Sequence, residues 1–297
     1  MHNPGRLRMA SASPKLINPA MAAPAQCRIE WLQFSLVTLL IAALYFNVLA
    51  DLAKDWWTEP AWSYGLLIPP LALYAAWIQR QTTLRITPRE DYRGLLVTAA
   101  ASLLFLVGNL GAEFFLTRSS FILLLVGVAW TFWGLPRLRT LAFPFLLLAT
   151  MVPLPVIVYN ALAAPLQLFA TSSATALARA LGVTVYQDGN IINLAHISLG
   201  VEEACSGLNS LAALVVASLL IAFLLSTRLR TRLLVILASV PLAIAFNVLR
   251  VAVTAVLADY HEEFAQGFYH FFGSWLIFTA GFATLYVFAR ILHRFLD

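Results

Sequence analysis

Residues 208–225 read Leu-Asn-Ser-Leu-Ala-Ala-Leu-Val-Val-Ala-Ser-Leu-Leu-Ile-Ala-Phe-Leu-Leu and contain no charge. A run of this length and composition is typical of a transmembrane helix, which needs ~20 mainly apolar residues to cross the hydrocarbon core. Directly before it, residues 201–208 read Val-Glu-Glu-Ala-Cys-Ser-Gly-Leu. The sequence therefore predicts a membrane helix that opens with a polar segment carrying a thiol.

The composition places the whole chain in the membrane class. Of its 297 residues, 61% are hydrophobic and 11% charged, and the mean hydropathy is +0.82. We predict an all-α polytopic membrane protein with about eight transmembrane helices. The predicted spans are Trp31–Ala50, Tyr64–Ile78, Gly94–Ala112, Ser119–Leu135, Leu141–Val158, Leu208–Leu225, Leu233–Ala258 and Phe271–Ala289. The second and fifth runs contain prolines, which interrupt helices, so these two are the least helical of the predicted spans.

The basic residues predict the orientation, because Lys and Arg collect on the cytoplasmic side of a membrane protein. With the N-terminus inside, 15 of the 19 basic residues fall in cytoplasmic segments, and only Lys54, Arg118 and Arg179 fall in outer loops. We therefore expect an inner-membrane protein with both termini in the cytoplasm. The net charge of +5 follows from this arrangement of basic residues. The sequence has no cluster of basic and aromatic residues of the kind that binds nucleic acid.

The chain divides into two parts. Residues 1–30 are basic and proline-rich, and they are too long before the first apolar run for a typical signal peptide. We predict a disordered cytoplasmic tail there, followed by a single transmembrane domain over residues 31–297.

The longest outer loop, residues 159–204, is predicted to form a small cap. Five apolar residues lie close to one helical face, which favours an amphipathic helix on the outer membrane surface. Residues 183–194 then alternate around Asp188-Gly189, the pattern of a β-hairpin. The apolar residues of the helix are Leu162, Leu166, Phe169, Leu177 and Leu181.

Cys205 stands where this cap meets the sixth predicted span. Unpaired N–H groups and the helix dipole at such a terminus favour a thiolate. A lone cysteine is also commonly a small buried hydrophobic residue. The second cysteine, Cys27, is predicted on the inner side, and ~30 Å of hydrocarbon would prevent a disulfide between the two.

Two further residues are predicted at the same membrane face. Arg250 lies 17 residues past Leu233, which places it ~25 Å across the core, near the outer edge. His270 closes the last outer loop, and Asn247 shares the helical face of Arg250. An arginine that snorkels to the interface and an interfacial histidine without a role are the simpler alternatives. His261 and His196 compete with His270 as a base.

A thiolate, an imidazole and a guanidinium fit nucleophilic acyl transfer. Ser206 offers no advantage as a nucleophile over the adjacent cysteine. A zinc protease is disfavoured, because Ala265 stands where a motif beginning at His261 needs its second ligand. We predict Cys205, Arg250 and His270 as catalytic residues, Glu203, Ser206 and Asn247 as supporting or substrate-binding residues, and neither metal nor cofactor.

From about residue 31 to the C-terminus, the chain resembles the exosortase/archaeosortase family of multi-spanning cysteine transpeptidases. One departure is Tyr64, which stands where the family commonly has a histidine. The similar segments are the cysteine motif 201–208, the arginine motif Asn247-Val248-Leu249-Arg250, the histidine motif His270-Phe271-Phe272-Gly273, Pro153-Leu154-Pro155, the turn Asp188-Gly189-Asn190 and the early segment 57–80.

The resemblance implies an intramembrane protease/transpeptidase that acts at the outer face through a thioacyl intermediate. Its substrates would be secreted proteins with a C-terminal sorting signal of the PEP-CTERM type: a short motif, a transmembrane helix and a basic end. The expected partners are such proteins and membrane lipid, with no nucleic acid. The alternative is a non-catalytic transporter with Arg250 as a substrate-binding charge, although carriers place such groups near the midplane. The sorting motif, the acyl acceptor and the oligomeric state stay open.

Overall fold

The computed structural model describes residues 23–201, 207–225, 228–265 and 267–296. The chain forms two compact units, Met1–Asn47 and Val48–Asp297, and the second contains α2 to α9 and a three-stranded sheet. The helices are α1 (Ala23–Thr58), α2 (Ile68–Arg85), α3 (Arg93–Leu110), α4 (Phe114–Thr140), α5 (Ala142–Ala149), α6 (Val156–Ala180), α7 (Leu208–Leu225), α8 (Leu229–Tyr260) and α9 (Gly267–Leu296), with 3₁₀ turns at Pro60–Leu67 and Glu262–Ala265.

The prediction of an all-α polytopic membrane protein is confirmed. Within the described residues, eight helical segments are long and apolar enough to cross a membrane. They are Ser35–Thr58, Pro60–Arg85, Arg93–Leu110, Phe114–Thr140, Val156–Ala180, Leu208–Leu225, Leu229–Tyr260 and Phe271–Leu296.

The fifth predicted span is wrong in its position. Residues 141–158 do not form one helix: α5 ends at Ala149, and residues 150–155 form turns and extended chain. Pro153 and Pro155 explain the break, because each proline removes a backbone donor and disfavours a helical residue before it. Helix α6 begins directly after Pro155 and is the fifth crossing-length helix along the chain. The predicted surface helix is thus a 25-residue helix that is long enough to span.

The predicted hairpin is confirmed, and a third strand joins it. Strand β1 (Tyr186–Asp188) pairs with β2 (Ile191–Asn193) in the register Asp188↔Ile191, so Gly189 and Asn190 form the turn. Gly189 has a φ of 58°, which a residue without Cβ adopts readily. Strand β3 (Ser198–Gly200) pairs antiparallel with β2 and leads towards the cysteine motif.

Helices α7, α8 and α9 pack against one another as neighbours in sequence. Short connections make α8 antiparallel to both α7 and α9. The connection between α7 and α8 lies in an arginine-rich stretch, which contains Arg228, Arg230 and Arg232. The opposite end of this three-helix group, where α7 begins and α8 ends, is therefore the predicted outer end.

The sheet and α6 pack on the last turns of α8. Ala174 and Ala178 of α6, Ile192 of β2 and Ala252 and Ala255 of α8 belong to one buried cluster. Alanines permit close approach of helices, the usual basis of helix packing in membranes. The small sheet is thereby fixed to the helix that carries Arg250.

Three polar contacts hold α1, α4 and the segments before α3 and after α5 together. The guanidinium Nη2 of Arg118 in α4 lies 2.5 Å from Asp55 Oδ2 of α1. The indole Nε1 of Trp56 donates a hydrogen bond to the carbonyl of Met151. Before α3, Asp91 accepts hydrogen bonds from the Trp130 indole and the Arg93 N–H.

Candidate functional site

Gly207 places the start of α7 directly against α8. Its φ is +90°, and a Cβ there would lie 2.6 Å from Asn247 Nδ2 and 2.7 Å from Asn247 Cγ. Both the backbone conformation and the contact therefore require a residue without a side chain. Since Asn247 precedes Arg250 by three residues, the end of the cysteine motif abuts the arginine motif.

The residue that precedes the acidic part of the motif is also held. Val201 is buried, and its N–H donates to the Asn190 carbonyl at 2.9 Å. Its own carbonyl accepts hydrogen bonds from the side-chain amides of Asn190 and of Gln167 in α6. The structure thus anchors the chain on both sides of residues 202–206, by α6 and the sheet at one end and by α8 at the other.

A small cavity of ≈ 20 Å³ lies between α7, α8 and α9. Each helix contributes at least one polar residue, so the cavity is a junction of the three helices that carry or adjoin the predicted catalytic motifs. The lining residues are Ser210, Leu214, Ala243, Phe246, Asn247, Arg250, Ser274, Ile277, Phe278 and Gly281.

Arg250 and Asn247 line this cavity from α8. Arg250 is partly buried, whereas Asn247 is only 4% exposed. Helix α8 begins at Leu229, four residues earlier than predicted, so Arg250 lies ~31 Å along the helix from its first residue. Arg250 therefore lies in the later part of α8, towards the end that is predicted to face outwards. Asn247 also lines a second small cavity, of ≈ 10 Å³, between α6, α7 and α8.

His270 occupies the fourth position of α9, four residues before Ser274. The loop before it is shorter than predicted, because α8 continues to Tyr260 and α9 begins at Gly267. Positions four apart share one face of a helix, and Ser274 lines the cavity with Arg250. The backbone thus places position 270 one turn above the cavity wall, while its side chain lies outside the described residues.

The competing histidines occupy exposed positions. His261 ends α8, and its ring lies 6.1 Å from the ring of Phe264. His196 is exposed in the connection between β2 and β3. Neither lines the cavity that contains Arg250.

Three of the predicted site residues, Glu203, Cys205 and Ser206, lie outside the described residues. Cys27 belongs to α1, but its side chain also lies outside them. The roles assigned to these residues stay predictions.

Sequence reasoning missed a polar contact at the start of α7. The phenol of Tyr159 in α6 donates a 2.9 Å hydrogen bond to Asn209 Oδ1, and its ring packs edge-on against Trp62. Tyr64, the position of the family departure, packs against the cluster of Trp56 and near Tyr159. Polar residues within apolar runs were the available signal, but sequence spacing alone does not pair α6 with α7.

Comparison with known proteins identifies the family. A family model described as transmembrane exosortase matches residues 56–287. No curated protein and no solved structure matches the chain. The match covers most of the chain and includes the segments with the cysteine, arginine and histidine motifs. The chain therefore belongs to the transmembrane exosortase family.

Proposed function

We propose that this protein is a cysteine transpeptidase that cleaves C-terminal sorting signals of secreted proteins at the outer face of the cytoplasmic membrane. The observation that carries the proposal is the contact of Gly207 with Asn247 beside a cavity lined by Arg250 and Ser274. That contact joins the cysteine motif to the arginine motif, and Ser274 joins both to the helix of His270.

The reach of the chain supports the assignment of the nucleophile. Cys205 precedes Gly207 by two residues, and two residues span at most ~7 Å. Gly207 itself touches Asn247, one helical turn before Arg250. A thiol near the start of a helix or beside a guanidinium is stabilised as the thiolate, which is the reactive form, and this is the role proposed for Cys205.

In the proposed reaction, the Cys205 thiolate attacks the carbonyl carbon of the scissile peptide bond and forms a C–S bond. Arg250 stabilises the negative charge that develops on the carbonyl oxygen, with Asn247 as a second donor. His270 donates a proton to the nitrogen as the C–N bond breaks, which releases the C-terminal segment and leaves a thioester. A nucleophile of the acceptor then attacks the thioester carbonyl and bonds to the acyl carbon as the C–S bond breaks. Its proton passes to His270, and the Cys205 thiolate is regenerated.

The distribution of polar residues favours an enzyme over the alternative of a carrier. Carriers bind their substrates near the bilayer midplane, at broken helices. Here the charged and amide groups lie at one end of the cavity, and α7, α8 and α9 continue past it as unbroken helices.

The decisive experiment traps the acyl-enzyme with a tagged substrate. Cys205→Ala should abolish both processing and adduct while the protein stays folded in the membrane. Arg250→Lys keeps the charge but loses the planar fork, so we expect a loss of ~100-fold or more. His270→Ala should cost ~100-fold to ~10,000-fold. The matched control is His261→Ala, at an exposed histidine near the same end of α8.

Undiminished processing by Cys205→Ala would refute the proposed nucleophile. Normal adduct in His270→Ala, with loss in His261→Ala, would assign the proton transfer to the wrong histidine.

The proposed location is tested by chemical labelling. If both termini are cytoplasmic and the site faces outwards, a membrane-impermeant thiol reagent added outside should modify Cys205 and spare Cys27. Labelling of Cys27 alone in right-side-out vesicles, with Cys205 reactive once they are opened, would reverse the proposed orientation.

A further inference from the structure

Strand β3 forms one edge of the three-stranded sheet and leads directly into the cysteine motif. The N–H of Val201, which follows β3, donates to the Asn190 carbonyl at 2.9 Å. In an antiparallel ladder, residues that bond across the pair alternate with residues that do not. The next pair along the register, Gly200↔Ile191, is therefore of the second kind.

The same alternation applies to Ser198, two residues earlier. The N–H and C=O groups of Ser198 and Gly200 thus point away from β2, with a repeat of ~7 Å along the strand. Both residues are exposed, and a Cβ at Gly200 would meet nothing within 4 Å. In the part of the chain that the structure describes, no backbone group bonds to this outer edge. The edge of β3 therefore offers two residues, each with a donor and an acceptor, to a further strand.

The opposite edge of the sheet offers less. Strand β1 pairs with β2 in the register Gln187↔Ile192. Because Ile192 bonds towards β3, Gln187 is the residue of β1 whose backbone groups point outwards, and Tyr186 and Asp188 bond to β2. The charge of Asp188 also lies on β1, and charged residues are a common means of blocking an exposed edge. Strand β3 reads Ser-Leu-Gly and has no charge.

The edge of β3 is held firmly from behind. Ile192 of β2 is fully buried, and Leu199 of β3 packs against the same cluster, which includes residues of α6 and α8. The carbonyl of Val201 accepts hydrogen bonds from the side-chain amides of Asn190 and Gln167. A strand that pairs with β3 would therefore meet backbone groups that are already in place.

We propose that β3 binds an extended peptide segment of the substrate as an additional strand of the sheet. The edge itself indicates the occupant, because only an extended polypeptide presents free N–H and C=O groups at a repeat of ~7 Å, whereas a helix bonds these groups internally. The inference rests on the proposed function, which makes the bound peptide the substrate. Gly200 precedes Cys205 by five residues, which span at most ~17 Å. The paired segment then lies close to the cleaved bond.

Gly200→Pro tests the edge. Proline removes the outward N–H and places its ring at the edge, but it leaves the bonds between β2 and β3 intact. The KM for a peptide substrate should rise about tenfold, as expected for the loss of one hydrogen bond, with little change in kcat. The matched control is Gln187→Pro, which makes the same change at the outward residue of β1 and should leave KM at the wild-type value. An unchanged KM in Gly200→Pro, or an equal rise in both variants, would overturn the inference.

Disulfide trapping measures the conformation of the bound peptide without catalysis. Ser198→Cys is combined with Cys27→Ser and Cys205→Ala, so that the introduced thiol is the single one in the chain. The substrates carry one cysteine each, at successive positions beside the cleaved bond. Cross-links should form at every second position, because the side chains of a strand alternate between two faces. Gln187→Cys in the same background is the control and should not give this pattern.

Cross-links with a period of three or four positions would indicate a bound helix and overturn the inference, as would equal cross-linking at all positions. A disulfide between two copies of the protein, in place of cross-links to the substrate, would also overturn it, since a second copy would then pair with β3. Alternating cross-links to a substrate that the wild-type protein does not cleave would support the docking edge and refute the proposed function.

Discussion

Replacing Gly207 by alanine tests the contact that joins the cysteine and arginine motifs. The new Cβ meets two costs: a φ of +90°, which costs an L-residue about 1–2 kcal/mol, and overlap with Asn247, which adds about 1–3 kcal/mol. Together they should lower the free energy of unfolding by about 2–5 kcal/mol. The measurement is equilibrium unfolding of the purified protein in detergent.

Gly182 offers a matched control for the backbone cost. It has the same φ of +90° just after α6, but a Cβ there would meet nothing within 4 Å. Gly182→Ala should therefore lose only about 1–2 kcal/mol. The difference between the two variants isolates the contact with Asn247.

A double variant tests whether the Asn247 side chain is the group that a Cβ at position 207 would overlap. Asn247→Ala removes Cγ and Nδ2, the two closest atoms, and leaves its Cβ at 3.0 Å. In this background Gly207→Ala should cost about 1–2 kcal/mol less than in the wild type. Equal losses for the two glycine variants, or strict additivity with Asn247→Ala, would refute the reasoning. On the proposed function, processing should fall at least tenfold more in Gly207→Ala than in Gly182→Ala.

Two further predictions concern the polar contacts of Asp55 and Asp91. Asp55→Asn removes the partner of Arg118, whose side chain is only 8% exposed, and should cost about 1–3 kcal/mol of unfolding free energy because Asp55 itself is partly exposed. The exposed Asp51→Asn is its control, and an equal loss there would contradict the role of the ion pair. Asp91 accepts hydrogen bonds from the Trp130 indole and from the backbone N–H of Arg93, and these lower its pKa. The carboxylate is therefore stabilising above the ordinary aspartate pKa and loses this effect as the pH falls through its lowered value. Asp91→Asn should be less stable than the wild type at neutral pH only, and a difference that persists in acid would contradict this.

The fold could be predicted from the sequence where apolar runs are long and uninterrupted. Residues 208–225 form α7 with the predicted ends, because the run has no charge and no proline. Between 141 and 158 the prediction failed. There, apolar composition continues through Pro153 and Pro155, and composition does not report where the backbone ceases to be helical. The residues after these prolines extend α6 to crossing length.

From the sequence, the candidate site could be predicted only as positions along the helices. Helical rise alone placed Arg250 near the predicted outer end, and a spacing of three placed Asn247 on its face. The contact of Gly207 with Asn247 depends on how α7 packs on α8, a tertiary property without a signal in either segment. The hydrogen bond from Tyr159 to Asn209 depends in the same way on α6.

The length of α8 explains why the candidate site lies where it does. Its 32 residues extend ~48 Å, which exceeds the ~30 Å hydrocarbon core by about three turns. If its first residue lies at the inner edge, α8 leaves the core near Arg250. The turns beyond Arg250 carry the buried face on which α6 and the sheet pack. An arginine at that depth keeps its charge at little cost, and it can meet a peptide bond just outside a membrane helix of the substrate. Val201, which α6 and the turn before β2 hold, and Gly207, which lies against Asn247, are the described neighbours of the thiol segment, and both lie beside α8 or the cap that packs on it.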